Sequence, residues 1–173
     1  MPDCNGLGRN SSLSIPLLVM KQLLWKLILP LTIISFTIFS KWWYVHIIDG
    51  SDEILTGFPL PYMCRGWHTS LSLQIFVLGL IIDLLTYFAF WFMLTFIIHQ
   101  FIVKIKLNKT LTIFLLIISG FLSVVMILIG SNSDNIYTLH MDFESEIHET
   151  GYKFIWEKEP QHDYSKYHPE MIK

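Results

Sequence analysis

Residues Leu71–Val103 read LSLQIFVLGLIIDLLTYFAFWFMLTFIIHQFIV. This stretch decides the fold class, because it carries one charged side chain, Asp83, and exceeds the ~20 apolar residues that a helix needs to cross the ~30 Å hydrocarbon core of a bilayer. Two further apolar runs, Leu23–Tyr44 and Leu111–Ile129, are also long enough. The sequence therefore predicts three transmembrane helices, at 22–44, 71–103 and 111–130.

Composition narrows the class of protein further. With 173 residues and a mean hydropathy of +0.50, little chain remains for a separate soluble domain of ordinary size. The formal net charge of −2 gives no basic surface for nucleic acid. The sequence has no phosphate-binding glycine loop, nucleophile elbow or zinc-protease motif. We therefore expect no enzyme and no cofactor, and the Ile, Lys, Leu and Phe bias suits an AT-rich bacterial genome.

The distribution of charge predicts the orientation in the membrane. Short cytoplasmic loops carry an excess of Lys and Arg. Basic residues lie before the first run and in the link between the second and third, whereas acidic residues collect in the other two segments. We therefore predict a multi-pass protein of the cell (inner) membrane, with its amino end inside and an extracytoplasmic tail. The predicted cytoplasmic segments are 1–21, where translation starting at Met20 is a hypothesis, and 104–110; the predicted outer segments are the loop 45–70 and the tail 131–173.

The predicted outer tail changes to a two-residue period. Apolar side chains alternate with polar ones from Tyr137 to Phe143, and aromatic side chains recur at every second position from Tyr152 to Trp156. That period is typical of strands, so we predict a hairpin at 136–157. The predicted fold class is an all-α membrane protein with three transmembrane helices and a small extracytoplasmic β-hairpin. Because an isolated hairpin is marginal in water, its aromatic face needs a cover.

The outer loop offers one such cover. Residues 57–62 read GFPLPY, and two prolines among aromatic residues favour a stiff, extended segment. The membrane surface or another protein are the alternatives. The predicted partner-facing outer surface comprises Phe58, Pro59, Pro61, Trp67, Tyr152, Phe154 and Trp156.

The Gly-Phe-Pro-Leu-Pro stretch at 57–61, followed by an apolar helix with Ile82-Asp83-Leu84, resembles a scattered set of small, uncharacterised prokaryotic membrane proteins. The resemblance implies a membrane location. It also implies that the loop and Asp83 belong together. It brings no known activity with it.

Asp83 is the residue that most needs an explanation, because a charge at that depth costs at least ~2.5 kcal/mol on insertion scales. We expect it to face the helix bundle together with Tyr87, one turn on. One interpretation is a structural hydrogen bond to Ser35, Thr37 or Ser123. The others are a buried pair with a partner subunit, and a proton or ion relay. Asp83→Asn should be tolerated in the first case and abolish activity in the last.

Cys64 and His68 are the candidates for an outer metal site. They stand four residues apart, a spacing that places two ligands on one helical turn. No repeated ligand pair supports them, and the competing interpretation is a partly buried free cysteine. The sequence thus predicts no metal as its main expectation.

These patterns leave three classes of function open. The first is a non-catalytic accessory or assembly subunit of a larger membrane complex, with the lipid bilayer and other membrane subunits or a second copy as partners. The alternative is a small self-associating transporter or channel component with Asp83 in an ion or proton path. A third is an outward-facing binding or metal-sensing protein.

Overall fold

The computed structural model describes residues 17–48, 52–66, 72–105 and 107–158. Over these ranges the chain combines apolar helices with a six-stranded mixed sheet. The helices are α1 (Leu17–Leu23), α2 (Leu29–Ile38), α3 (Val77–Ile97) and α4 (Lys109–Gly130), with π-helical segments at Leu24–Ile28 and Ile98–Ile102. The strands are β1 (Phe39–Ile47), β2 (Glu53–Thr56), β3 (Met63–Arg65), β4 (Leu73–Phe76), β5 (Ile136–Thr138) and β6 (Ser145–Phe154).

The prediction of an all-α fold with one small hairpin at 136–157 is wrong. The described strands follow the order β5-β4-β3-β2-β1-β6, so the two tail strands lie at opposite ends of one sheet. β5 pairs in parallel with β4, and β6 pairs antiparallel with β1 along its whole length. The two-residue period overlaps the tail strands only at 137–138 and 152–154, and most of β6 lies in the polar stretch between the two periodic segments. A period also carries no information about which strand is the partner.

The other four strands come from segments that the sequence assigned to helices or to the loop. The first helical span ends at Ile38, and Phe39–Ile47 forms β1 instead of completing a helix to residue 44. β1 is rich in aromatic and β-branched residues, which favour a strand. At the second run, Leu73–Phe76 is β4 and the helix begins at Val77. A continuous apolar run cannot by itself separate a buried strand from a helix, and both errors have this cause.

The chain divides into two compact units. Of the described residues, the helical unit contains 17–35 and those of 84–131. Within it, the indole N–H of Trp91 donates to the Ser35 hydroxyl at 2.9 Å, and the Asn108 side chain caps α4 by accepting from the Thr110 N–H at 3.1 Å. Thr112 and Ser119, two turns apart, form a buried face of α4. Most of the remaining surface of α4 is exposed and apolar.

Three helical spans in the described ranges are long and apolar enough to cross a membrane: Val19–Ile38, Val77–Ile102 and Lys109–Gly130. Only 6% of the most apolar window of the third span is buried by the chain itself. An apolar surface of this size is what a lipid-facing or partner-facing helix presents.

Of the described residues, the sheet unit contains those of 36–83 and 132–158. Its core is a cluster of side chains from four strands, against which Trp43, Met141 and Phe143 pack. The core residues are Val45, Ile47, Leu55, Cys64 and Phe76. β1 and β6 keep register except between Tyr44 and Val45, where His148 is the extra residue of a β-bulge.

Candidate functional site

The loop Gly57–Tyr62, which joins β2 to β3, is held by the carboxylate of Asp83. The Phe58 N–H donates to Oδ2, and the Leu60 N–H donates to Oδ1 at 3.1 Å. Asp83 is 0% exposed. Its two oxygens therefore act as an anchor for backbone that lies against the first turns of α3.

Every backbone N–H of this loop has an acceptor. Pro59 and Pro61 have none to donate. The N–H groups of Gly57 and Tyr62 donate to backbone carbonyls of β1 and β2, at 2.8 and 2.9 Å. The remaining two donors are those taken by Asp83. A buried N–H without an acceptor costs about 1–3 kcal/mol, so the acid satisfies donors that the loop cannot satisfy by itself.

Two glycines let the loop approach so closely. Gly57 has φ +155°, a conformation that side chains with a Cβ rarely adopt. A Cβ added at Gly79 would lie 2.5 Å from the carbonyl oxygen of Pro61 and 3.2 Å from the Cα of Tyr62. Gly79 is one turn before Asp83 and shares its helix face. This face therefore offers close backbone contact at one turn and two acceptor atoms at the next.

Tyr62 closes the loop in a buried position. Its ring packs on that of Phe36 with centroids 5.3 Å apart, and its carbonyl accepts from the Phe76 N–H at 2.8 Å. Burial, together with the nearby charge of Asp83, raises the pKa of Tyr62 to about 12. The phenol therefore keeps its proton throughout the physiological range.

The predicted side-chain partners of Asp83 are not the ones it uses. Ser35 accepts from Trp91, and the Ser123 hydroxyl donates to a backbone carbonyl of its own helix at 2.8 Å. Among the described residues, no ion pair involves Asp83. Tyr87, predicted on the same face, is buried as well. The structure does bring the loop and Asp83 together, as the resemblance implied.

The predicted partner-facing surface is partly assembled. Phe39 stacks on Tyr152 at 5.5 Å, and Phe58 meets the same tyrosine edge-on at 5.9 Å. Phe154 stacks on Trp156 at 4.9 Å. The loop therefore covers one end of the aromatic row through Phe58, while Tyr152 and Trp156 remain largely exposed. Pro59 and Pro61 are half-buried, and Trp67 lies outside the described residues.

A second polar cluster was missed by the sequence analysis. The hydroxyl of Tyr44 donates to Oδ2 of Asp52, and Nδ1 of His46 lies 2.7 Å from Oδ1. The side chain of Asp52 is 6% exposed, and the His148 ring lies 6.1 Å from that of His46. A buried carboxylate in this position orients an imidazole and ties the start of β2 to β1.

One signal for this cluster exists in the sequence. Tyr44 and His46 are two residues apart in β1, so their polar side chains lie side by side on the same face of the strand. Asp52 reaches these two side chains only because β1 pairs with β2, and no local sequence pattern specifies that pairing.

Cys64 is a free cysteine in the core, so the interpretation as a buried free thiol is confirmed. Burial, and next the charge of Glu53, raise the pKa of Cys64 to about 12, which disfavours the thiolate that binds metal. Burial also raises the pKa of Glu53, against the opposing effects of Arg65 and a backbone hydrogen bond. His68 lies outside the described residues. Within the residues that the structure describes, no three His, Cys, Asp or Glu side chains are grouped to hold a metal ion.

No family model matches this chain, and neither a curated protein nor a solved structure matches it. Its function must therefore be inferred from the geometry of the chain itself.

Proposed function

We propose that this chain is a multi-pass membrane protein that acts as a non-catalytic accessory or assembly subunit of a larger membrane complex. One observation carries this proposal: the acid at the start of its second span is fully buried and both of its oxygens accept loop N–H groups. This arrangement supports a structural role of Asp83 in the sheet unit over a place in a conduction path.

Membrane insertion is supported by the three apolar spans and by their uncovered surfaces. The lysines at 104–109 and those before the first span favour a cytoplasmic position for these segments, with the sheet unit on the outer face of the cell membrane.

The alternative of an ion or proton path has weaker support. A relay group must exchange its proton with a neighbour. The neighbours of Asp83 are two backbone N–H groups, which donate hydrogen bonds but do not take up or give up a proton. The described parts of the three spans contain no further acidic residue. A conducting role would therefore require groups supplied by another protein.

The partner surface that we propose includes the open side of α4. A Cβ added at Gly120 would meet nothing within 4 Å, although Ser119 beside it is buried. A small residue on an open apolar helix face allows the backbone of another helix to approach.

Affinity purification of the tagged chain in a mild detergent, with mass spectrometry of the proteins that co-elute, tests the proposal. We expect a reproducible partner at stoichiometric level. A chain that elutes alone, or only with copies of itself, would contradict the subunit proposal. Loss of ion flux on Asp83→Asn in proteoliposomes of the purified chain would support the alternative.

A further inference from the structure

Two segments of the tail are hydrogen-bonded to the ends of two apolar spans. The Ile155 N–H donates to the carbonyl of Ile38, the last residue of α2, at 2.9 Å. The Leu78 N–H, in the first turn of α3, donates to the carbonyl of Leu139 at 3.0 Å. Terminal groups of helices have no partner within the helix, so these bonds fix the tail at the level where the spans end.

The same two segments expose large apolar side chains. Leu139 is 67% exposed, Ile155 64% and Trp156 68%. Tyr152 and Tyr137 are more than half exposed as well. Because β5 and β6 lie at opposite ends of the sheet, these side chains form two separate groups, one at each hydrogen bond to a span. Groups of large exposed apolar side chains mark binding surfaces.

We propose that residues 137–139 and residues 152–156, at opposite ends of the sheet, each contact lipid in the headgroup region of the bilayer. This inference rests on the proposed membrane location of the helices. We assign these residues to the lipid interface because their hydrogen bonds with Ile38 and Leu78 place them where two apolar spans end. Trp and Tyr favour that layer, since their rings are apolar and their N–H or O–H groups reach water. Phe154, stacked on Trp156, extends the apolar surface toward β1.

Single cysteines that carry an environment-sensitive fluorophore test this surface in proteoliposomes of phosphatidylcholine and phosphatidylglycerol. The background is Cys4→Ser with Cys64→Ala, and the test positions are Leu139→Cys and Trp156→Cys. Ile147→Cys is the control, because Ile147 is 57% exposed, close to Leu139 at 67% and Trp156 at 68%, and lies in β6 about 23 Å along the strand from Phe154. Leu116→Cys, exposed on α4, reports whether the helix is in the membrane.

We expect a nitroxide near the lipid headgroup to quench the labels at 139 and 156 several-fold more than the label at 147. A nitroxide deep in the acyl chains should quench the label at 116. If 116 is quenched while 139 and 156 behave like 147, the lipid-contact inference is overturned and the membrane location stands. If 116 is not quenched, the proposed membrane location itself fails.

Shielding of 139 and 156 from a water-soluble quencher, without quenching from lipid, would mean contact with a second copy or another protein, and would overturn the assignment to lipid. Each labelled variant must be monodisperse in detergent before reconstitution. If Trp156→Cys is not monodisperse, Tyr152→Cys replaces it, because Tyr152 lies in the same segment, 152–156.

Discussion

At the scale of the residue, the chemistry of this chain centres on one carboxylate. Asp83 is an acid in an apolar helix, which usually suggests a transported proton or a charged partner. Here its two oxygens accept two N–H groups of one loop. The presence of Asp83 is explained by the N–H groups of Phe58 and Leu60, for which the loop itself provides no acceptor.

Replacing this acid tests the anchor. In Asp83→Asn one amide oxygen can accept one N–H, but the amide nitrogen would face the other donor. We expect a loss of about 1–3 kcal/mol in the free energy of unfolding, the cost of a buried donor without an acceptor. Thermal unfolding in detergent measures it, with Asp134→Asn in the exposed tail as the control. Equal stability of both variants would argue against the anchor.

The buried phenol of Tyr62 and the buried thiol of Cys64 predict that stability depends on pH in the alkaline range. The pKa values of Cys64 and Tyr62 rise from 9.0 and 10.0 to about 12 in the folded chain. Between about pH 9 and 12 the folded state therefore keeps protons that the unfolded state releases, and the free energy of unfolding falls as pH rises.

Melting curves at increasing pH check this expectation. Tyr62→Phe should remove the part of the decline that begins near pH 10, and Cys64→Ala the part that begins near pH 9. A decline of the same size in the wild type and both variants would show that other groups cause it.

Among the elements, α3 carries two residues that fit the loop Gly57–Tyr62 packed against it. Gly79 provides the close approach and Asp83, one turn later, the acceptors. Sequence patterns could identify each half of this arrangement. The apolar run indicated the helix, and the prolines indicated a stiff loop. Only the resemblance linked the two, because hydrophobic period and turn chemistry are local signals and the loop is more than twenty residues from the acid.

Two glycines in apolar helices should respond oppositely to the same change. Gly79→Ala places a Cβ against the Pro61 carbonyl, so we expect lower thermal stability and faster proteolysis in the loop. Gly120→Ala meets nothing within 4 Å, so it should be neutral or stabilising by up to about 1 kcal/mol from helix propensity. Equal effects of the two changes would mean that the loop does not lie on the Gly79 face.

A larger side chain at Gly120 tests the partner surface of α4. Gly120→Leu should sharply reduce recovery of a co-purifying partner, because the side chain would hold another helix away. Gly120→Ala should keep that recovery. Unchanged recovery with leucine would locate the partner elsewhere.

At the scale of the whole molecule, the chain joins an apolar helical unit to a six-stranded sheet within the residues described. The sequence predicted three long apolar helices, because runs of about twenty apolar residues have the length that spans a bilayer, but the predicted bounds of the first two included residues of β1 and β4. It missed most of the sheet for two reasons. Phe39–Ile47 and Leu73–Phe76 continue apolar runs, and the pairings of β1 with β6 and of β4 with β5 join residues about sixty to over one hundred positions apart.

The proposed orientation rests on the positions of the lysines and can be tested in cells. In a Cys4→Ser, Cys64→Ala background, a cysteine at Asp134 should react with a membrane-impermeant maleimide in intact cells. A cysteine at Lys104 should react only after permeabilisation. The reverse pattern would mean that the sheet unit faces the cytoplasm.

Amide hydrogen exchange of the loop tests directly whether Asp83 anchors it. A peptide that covers 57–61 has few amides to report, because Pro59 and Pro61 have none, so exchange there follows mainly Phe58 and Leu60. We predict slow exchange in the wild type and in Asp134→Asn, and much faster exchange in Asp83→Asn, with the β1–β6 pairing protected in all three. Exchange at 57–61 that is the same in all three chains would contradict the anchor and return Asp83 to consideration as a conducting group.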